Sequence, residues 1–185
     1  MEQIAVDITL SANEKSELDH LLEHYPVAAG GSIDALKIIQ KYRGWVSDGA
    51  LKALAAHMGL PLADLESVAT FYNLIFRKPV GKVLVHPCNS VSCAIMGFNK
   101  VHQTLKKSLN ITDGQTTPDN QFTLISLPCL AACDKAPVML VGGTLYENVK
   151  PEEVDKILQH EASLQAKSDE ISKANDQSTQ LREHQ

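Results

Sequence analysis

The sequence predicts an α+β protein in which an N-terminal helical bundle is followed by a small domain of helices on a mixed sheet. Three observations predict it. Apolar residues recur at three- and four-residue spacing from about 11 to 76, the period shortens to two after a polar break at 77–81, and the β-branched runs beyond that break are separated by a further helical stretch. Aromatic residues are only 5% of the 185-residue chain, and Gly and Pro number 10 and 8, a profile in which helix should dominate.

Ser11 and Glu14 have the spacing of a capping box, and Leu18, Leu21, Leu22 and Tyr25 give the first helix one apolar stripe before Pro26 stops it. Gly30 and Gly31 break the chain, Ser32 is placed to cap a second helix carrying Ile33, Leu36 and Ile39, and Gly44 closes it after Arg43. Ser47 caps a third helix with Leu51, Leu54, Ala55 and Met58, ended by Gly59, and Pro61 opens a fourth with Leu62, Leu65, Ala69 and Tyr72. None of these helices is long enough to stand alone, so they must pack together. Phe71, Tyr72 and Phe76 fall at helical spacing and read first as core, second as a docking surface.

Arg77, Lys78, Pro79, Val80 and Gly81 mark the domain boundary, giving 1–80 as the helical region, 81–162 as the second domain and 163–185 as a polar, flexible or weakly helical tail. In the second domain Lys82 to His86 reads as a strand ended by Pro87. A helix from Cys93 then carries Ile95, Phe98, Val101, Leu105 and Leu109, and a polar loop follows. Phe122 to Leu127 reads as a strand. Val138–Val141 and Thr144–Tyr146, joined by Gly142-Gly143, read as a hairpin with a primed turn, and Pro151 opens a last helix. A thioredoxin-like arrangement satisfies that order.

Composition narrows the function. The net charge of −5, from 17 Lys and Arg against 22 Asp and Glu, comes without any basic cluster, so nucleic acid is not an expected partner. The N-terminus has neither a basic nor an apolar leader segment, and no apolar run reaches the ~18 residues of a membrane span, which gives a cytoplasmic expectation with no direct membrane insertion. Glycine-rich nucleotide loops and the G-x-S-x-G elbow are missing, so no NADH or flavin site of its own is expected.

The chemistry lies in Cys88, Cys93, Cys129 and Cys133, two pairs spaced C-x4-C and C-x3-C, each just after an expected strand. Strand-end loops lie side by side in such a sheet, so four thiols can converge. The pattern admits a structural zinc, two disulfides, four unrelated buried cysteines or a 2Fe-2S centre. Two details favour the last. Neither Val83–Asn99 nor Asn120–Cys133 contains an Asp, Glu, Lys or Arg, and an anionic tetrathiolate core is best surrounded by neutral dipoles. Cys93 is also expected to begin its helix, where backbone N–H groups would face the sulfurs. His86, two residues before Cys88, reads as a packing residue rather than a ligand.

From about 32 to 160 the sequence resembles the E-type subunit family of respiratory NADH:quinone oxidoreductase, complex I. The residues that carry the likeness are Ala35 to Lys41, Gly44-Trp45-Val46, Val68-Ala69-Thr70-Phe71-Tyr72 and Cys129 to Pro137, with both cysteine pairs in place. The resemblance implies a thioredoxin-like 2Fe-2S ferredoxin fold behind the helical bundle, with one 2Fe-2S cluster held by Cys88, Cys93, Cys129 and Cys133. It implies docking against a flavin subunit that binds FMN and NADH, among the other peripheral-arm subunits at the cytoplasmic face of the inner membrane. Equivalent subunits of NAD-linked hydrogenases and formate dehydrogenases, or a zinc-holding assembly module, are the alternatives. The family carries Gly where Ala131 stands; a positive φ there would cost Ala about 1 kcal/mol.

Overall fold

The computed structural model describes residues 9–182, and it divides into two compact units, 1–80 and 81–185. The N-terminal stretch 1–8 and the tail residues 183–185 lie outside the described residues.

The first unit consists of α1 (Ala12–Leu22), α2 (Ser32–Arg43), α3 (Asp48–Met58) and α4 (Leu62–Phe71). The capping box forms: Ser11 Oγ accepts from Glu14 N at 3.2 Å, and Glu14 Oε2 accepts from Ser11 N at 2.7 Å. Gly44 and Gly59 end α2 and α3 in the left-handed region, and Ser47 Oγ accepts from Ala50 N. Ser32 does not cap α2. It is the first residue of that helix, after a 3-10 turn over Ala28–Gly31, and its hydroxyl donates back to Ala29 O, because the turn continues directly into the helix. Leu18, Leu36, Ile39, Leu51, Leu54 and Leu65 are fully buried and form one core.

The second unit is a five-stranded mixed sheet in the order β2-β3-β1-β4-β5, from β1 (Val83–Pro87), β2 (Gln115–Thr116), β3 (Phe122–Leu124), β4 (Met139–Val141) and β5 (Thr144–Tyr146). Only β1 and β3 run parallel, with Val83 opposite Phe122 and Val85 opposite Leu124. Gly142 and Gly143 both have positive φ, 57° and 95°, as the type I′ turn of the β4–β5 hairpin requires. Strand β2 gives no periodic signal, since its two polar residues only pair at an edge.

Two helices follow β1 rather than one. α5 (Val91–Ile95) is five residues long, Gly97 at φ 114° ends it, and α6 (Phe98–Leu109) starts anew. Val101, Leu105 and Leu109 of α6 join Val83, Val85, Leu124, Met139 and Val141 of the sheet and Val154 and Leu158 of the last helix in a second core. α7 spans Val154–Arg182 without interruption, so the helix continues through 163, where the sequence reading has the tail begin. Leu164 and Ile171 are too sparse to make an apolar stripe, which is why the periodicity fades there while the backbone ladder does not. Among the described residues no helix is long and apolar enough to cross a membrane.

Candidate metal centre

The two cysteine loops leave neighbouring, parallel strands, which brings them together. Beyond β1 and β3 the backbones stay joined: Cys88 bridges Leu127, Leu127 N donates to Pro87 O at 3.1 Å, and Asn89 N donates to Leu127 O at 2.9 Å. On its other side Cys88 N donates to Val138 O at 3.0 Å, just past the cis Ala136–Pro137 bond. Cys88 is therefore fixed from both edges of its strand, and Cys129 stands two residues beyond Leu127.

All four thiols are free. Cys88 and Cys93 are buried, with 2% and 1% of their surface exposed, in an apolar group with Phe98, Ala136 and Val138, whereas Cys129 and Cys133 are exposed. Burial pushes the Cys93 thiol up, a hydrogen bond with the Val138 backbone works against it, and the Cys88 and Cys133 sulfurs add to the rise. Cys93 is thus within electrostatic reach of a sulfur from each loop. Neither pair has the C-x-x-C spacing that thiol exchange normally uses, which argues against thiol oxidoreductase chemistry.

Among the described residues no three His, Cys, Asp or Glu side chains are grouped so as to hold one metal ion. A 2Fe-2S core takes two thiolates per iron rather than four on a single point. The donor chemistry of the loops fits such a core: soft sulfur ligands, two uncharged stretches, and a backbone N–H directed at sulfur, since Ala131 N lies 3.4 Å from Cys129 Sγ. The first cation past the second loop, Lys135, is paired with Glu147 at 3.1 Å. His86 is buried and its Nδ1 lies 2.9 Å from Ile125 O, with burial lowering its pKa, so it serves as a neutral strut between β1 and the segment after β3.

Two expectations fail here. Cys93 does not begin a helix; it is the third residue of α5, whose five residues give little macrodipole, because Ser90 and Gly97 bound the turn on both sides. Phe71 and Tyr72 are not core: Phe71 is 77% exposed, with Tyr72 edge-on to it, and only Phe76 is buried. The helical period breaks at the end of α4, so spacing beyond that residue no longer reports a face.

Ala131 does adopt a left-handed backbone, with φ 58°. Ala131→Gly is expected to stabilise the second unit by about 0.5–1 kcal/mol, read as a rise in its denaturant midpoint. No gain would mean that the loop is unstrained.

What sequence reasoning missed is the surface around the loops. Val91, Ile95 and Met96 are 72%, 79% and 60% exposed, so α5 turns only Cys93 inward and presents its apolar residues outward. The sequence carried no signal for it, because Ile95 falls in register with Phe98, Val101 and Leu105 and only the break at Gly97 separates it from their face.

The thioredoxin-like [2Fe-2S] ferredoxin family model matches residues 18–162. The E-type subunits of NADH-quinone oxidoreductase from Escherichia coli (strain K12) and Pseudomonas aeruginosa are each 45% identical over 150 residues, 81% of this chain and 90% of theirs. Among solved structures, the fold matches an NAD+-reducing [NiFe]-hydrogenase in the H2-reduced state with a TM-score of 0.63 and 23% identity. That match covers 73% of this chain and 22% of the hydrogenase chain. A sheet with two cysteine loops at its strand ends, and a sequence aligned along most of its length with these subunits, place the chain in one family: it belongs to the thioredoxin-like [2Fe-2S] ferredoxins, among the E-type subunits of NADH-quinone oxidoreductase.

Proposed function

We propose that Cys88, Cys93, Cys129 and Cys133 hold one 2Fe-2S cluster and that this chain, as a peripheral subunit of an NADH-oxidising complex, exchanges electrons with the FMN of a partner flavin subunit. The observation that carries this reading is the pairing of two uncharged cysteine loops across Cys88 and Leu127, with one thiol pair buried and the other exposed. When bound, the cluster supplies reversible one-electron storage. The chain's own residues do the rest. Phe98, Ala136 and Val138 exclude water from the Cys88 and Cys93 sulfurs, while the exposed Cys129 and Cys133 lie on the side open to a partner. NADH and FMN belong on that partner, and within such an assembly this chain sits at the cytoplasmic face of the inner membrane.

The partner's footprint follows from α5. Ile95 and Met96 line a groove of about 570 Å3 together with Lys100, Pro137, Lys150 and Pro151, and neither lysine is ion-paired among the described residues. An apolar partner segment flanked by carboxylates matches both the exposed side chains and the two unpaired charges. Ile95→Asp is expected to weaken retention of the flavin subunit at least tenfold, measured by quantitative pull-down, while the isolated chain keeps its colour. Undiminished retention would move the interface elsewhere.

Anaerobic purification of the chain with whatever holds it tests the function. Expected are absorption between about 400 and 550 nm, a rhombic EPR signal on reduction, and a partner carrying FMN. A colourless chain with one equivalent of zinc favours the assembly module instead, and a coloured chain whose partner lacks flavin contradicts the electron exchange.

A further inference from the structure

Between the last paired residue of β3 and Cys129 the chain runs through residues 125–128, and the backbone groups of 125–127 alternate sides as in any strand. Ile125 N donates to Val85 O at 2.9 Å and Leu127 N to Pro87 O at 3.1 Å, both toward β1. Ser126 N points the other way, where no strand remains: β2 pairs Gln115 with Leu124, and the ladder closes with Gly114 N donating to Leu124 O at 2.7 Å. Asp113 supplies the missing rung. Its Oδ1 accepts from Ser126 N at 3.2 Å and from Ser126 Oγ at 2.6 Å.

The second oxygen of the same carboxylate reaches α6. Asp113 Oδ2 lies 2.6 Å from His102 Nε2 and 3.7 Å from Lys106 Nζ. His102 is stacked on Phe98, with ring centroids 4.9 Å apart and planes 17° from parallel, and Phe98 packs in the apolar group around Cys88 and Cys93. Asn89, next to Cys88, lines the same cleft as Asp113, His102 and Ser126, about 340 Å3 in volume. Burial works to raise the Asp113 carboxyl, but the Ser126 and His102 interactions outweigh it and hold it below its ordinary value. One ionised side chain thus joins the approach to the exposed cysteine pair with the helix that packs on the buried pair.

We propose that Asp113 is a positioning residue for the metal centre, fixing where Cys129 and Cys133 stand relative to Cys88 and Cys93. The proposal rests on the ligand set above. Without the carboxylate, residues 125–127 are anchored on one edge only, and the loop beyond them gains freedom that the two pairs cannot both tolerate around one core.

The test uses the full chain with Asp113→Ala, Asp113→Asn and Ser126→Ala, in metal-free and iron-loaded form. In the metal-free chain Asp113→Ala is expected to speed amide hydrogen exchange over 125–129 at least tenfold while leaving β4 within twofold. In the loaded chain it should broaden the reduced EPR signal and speed iron release to a chelator at least fivefold. Asp113→Asn, which keeps an oxygen for Ser126, should recover most of the protection and the line shape. Ser126→Ala, which keeps the carboxylate and loses one of its two bonds to Oδ1, should give a two- to threefold effect and serves if Asp113→Ala does not fold. Exchange, line shape and release rate all equal to the parent's overturn the proposal, as does an Asn variant no better than Ala. A parent chain that takes up no iron overturns the ligand set, and the exchange measurement then still decides whether Asp113 fixes the loop.

Discussion

Truncating Cys93 to alanine is expected to empty the metal centre: iron per chain and absorption between about 400 and 550 nm should both fall more than tenfold relative to the parent. The reason is burial. Cys93 Sγ sits among Phe98, Ala136 and Val138 with 1% of the residue exposed, so no water or buffer ligand can take the place of the missing sulfur. Cys129→Ala is expected to behave differently. That thiol is exposed, and solvent can supply an oxygen ligand, so a weakened centre with an altered EPR signal should remain. Iron analysis and EPR on the two variants side by side check the contrast; equal losses at both positions would show that burial does not decide which ligand is replaceable.

The second large effect lies in the helical unit. Glu14 is 2% exposed, and its carboxylate takes Arg43 Nε at 2.5 Å and an Arg43 terminal nitrogen at 2.7 Å, while the same guanidinium donates to Thr9 O at 3.0 Å. Glu14→Ala removes the capping box and leaves the Arg43 charge without its partner, a loss expected to cost this unit about 3 kcal/mol. The hydrogen bond from Arg43 is the main cause that holds the Glu14 carboxyl down at about 2 against 4.5. A carboxylate lowered on folding stabilises the folded form fully above its unfolded pKa, and that contribution disappears as pH falls through its folded pKa. The melting temperature of the unit should therefore fall between about pH 4.5 and pH 2 in the parent, and Glu14→Gln should flatten that dependence. A variant as acid-sensitive as the parent would place the titrating group elsewhere.

Helix ends and strand identities are legible wherever a single residue type does a local job. Ser11, Gly44, Ser47, Gly59 and the Gly142-Gly143 pair stand at the caps and the turn that their side chains, or lack of one, favour. The misreadings have one origin. Ser32 cannot be placed without the 3-10 turn before it, Cys93 without the break at Gly97, or Phe71 without the end of α4, and in each case the neighbouring backbone reassigns the residue. Strand β2 and the Asp113 clasp leave no trace at all: β2 is two polar residues at a sheet edge, and a single side-chain partner thirteen residues away leaves no period in the sequence.

By itself the sequence determined the two-unit organisation of helical stretch and sheet, the four thiols in uncharged surroundings, and the family, since periodicity, caps and motif spacing are local properties of a chain. Only the tertiary structure decided which thiols are dry and which are open, that α5 faces its apolar residues outward, and that one carboxylate joins the segment before Cys129 to α6. Those depend on pairings such as Cys88 with Leu127, which the β1–β3 register sets, and Ser126 with Asp113, which follows from the β2–β3 pairing, and the members of each meet only in the folded sheet.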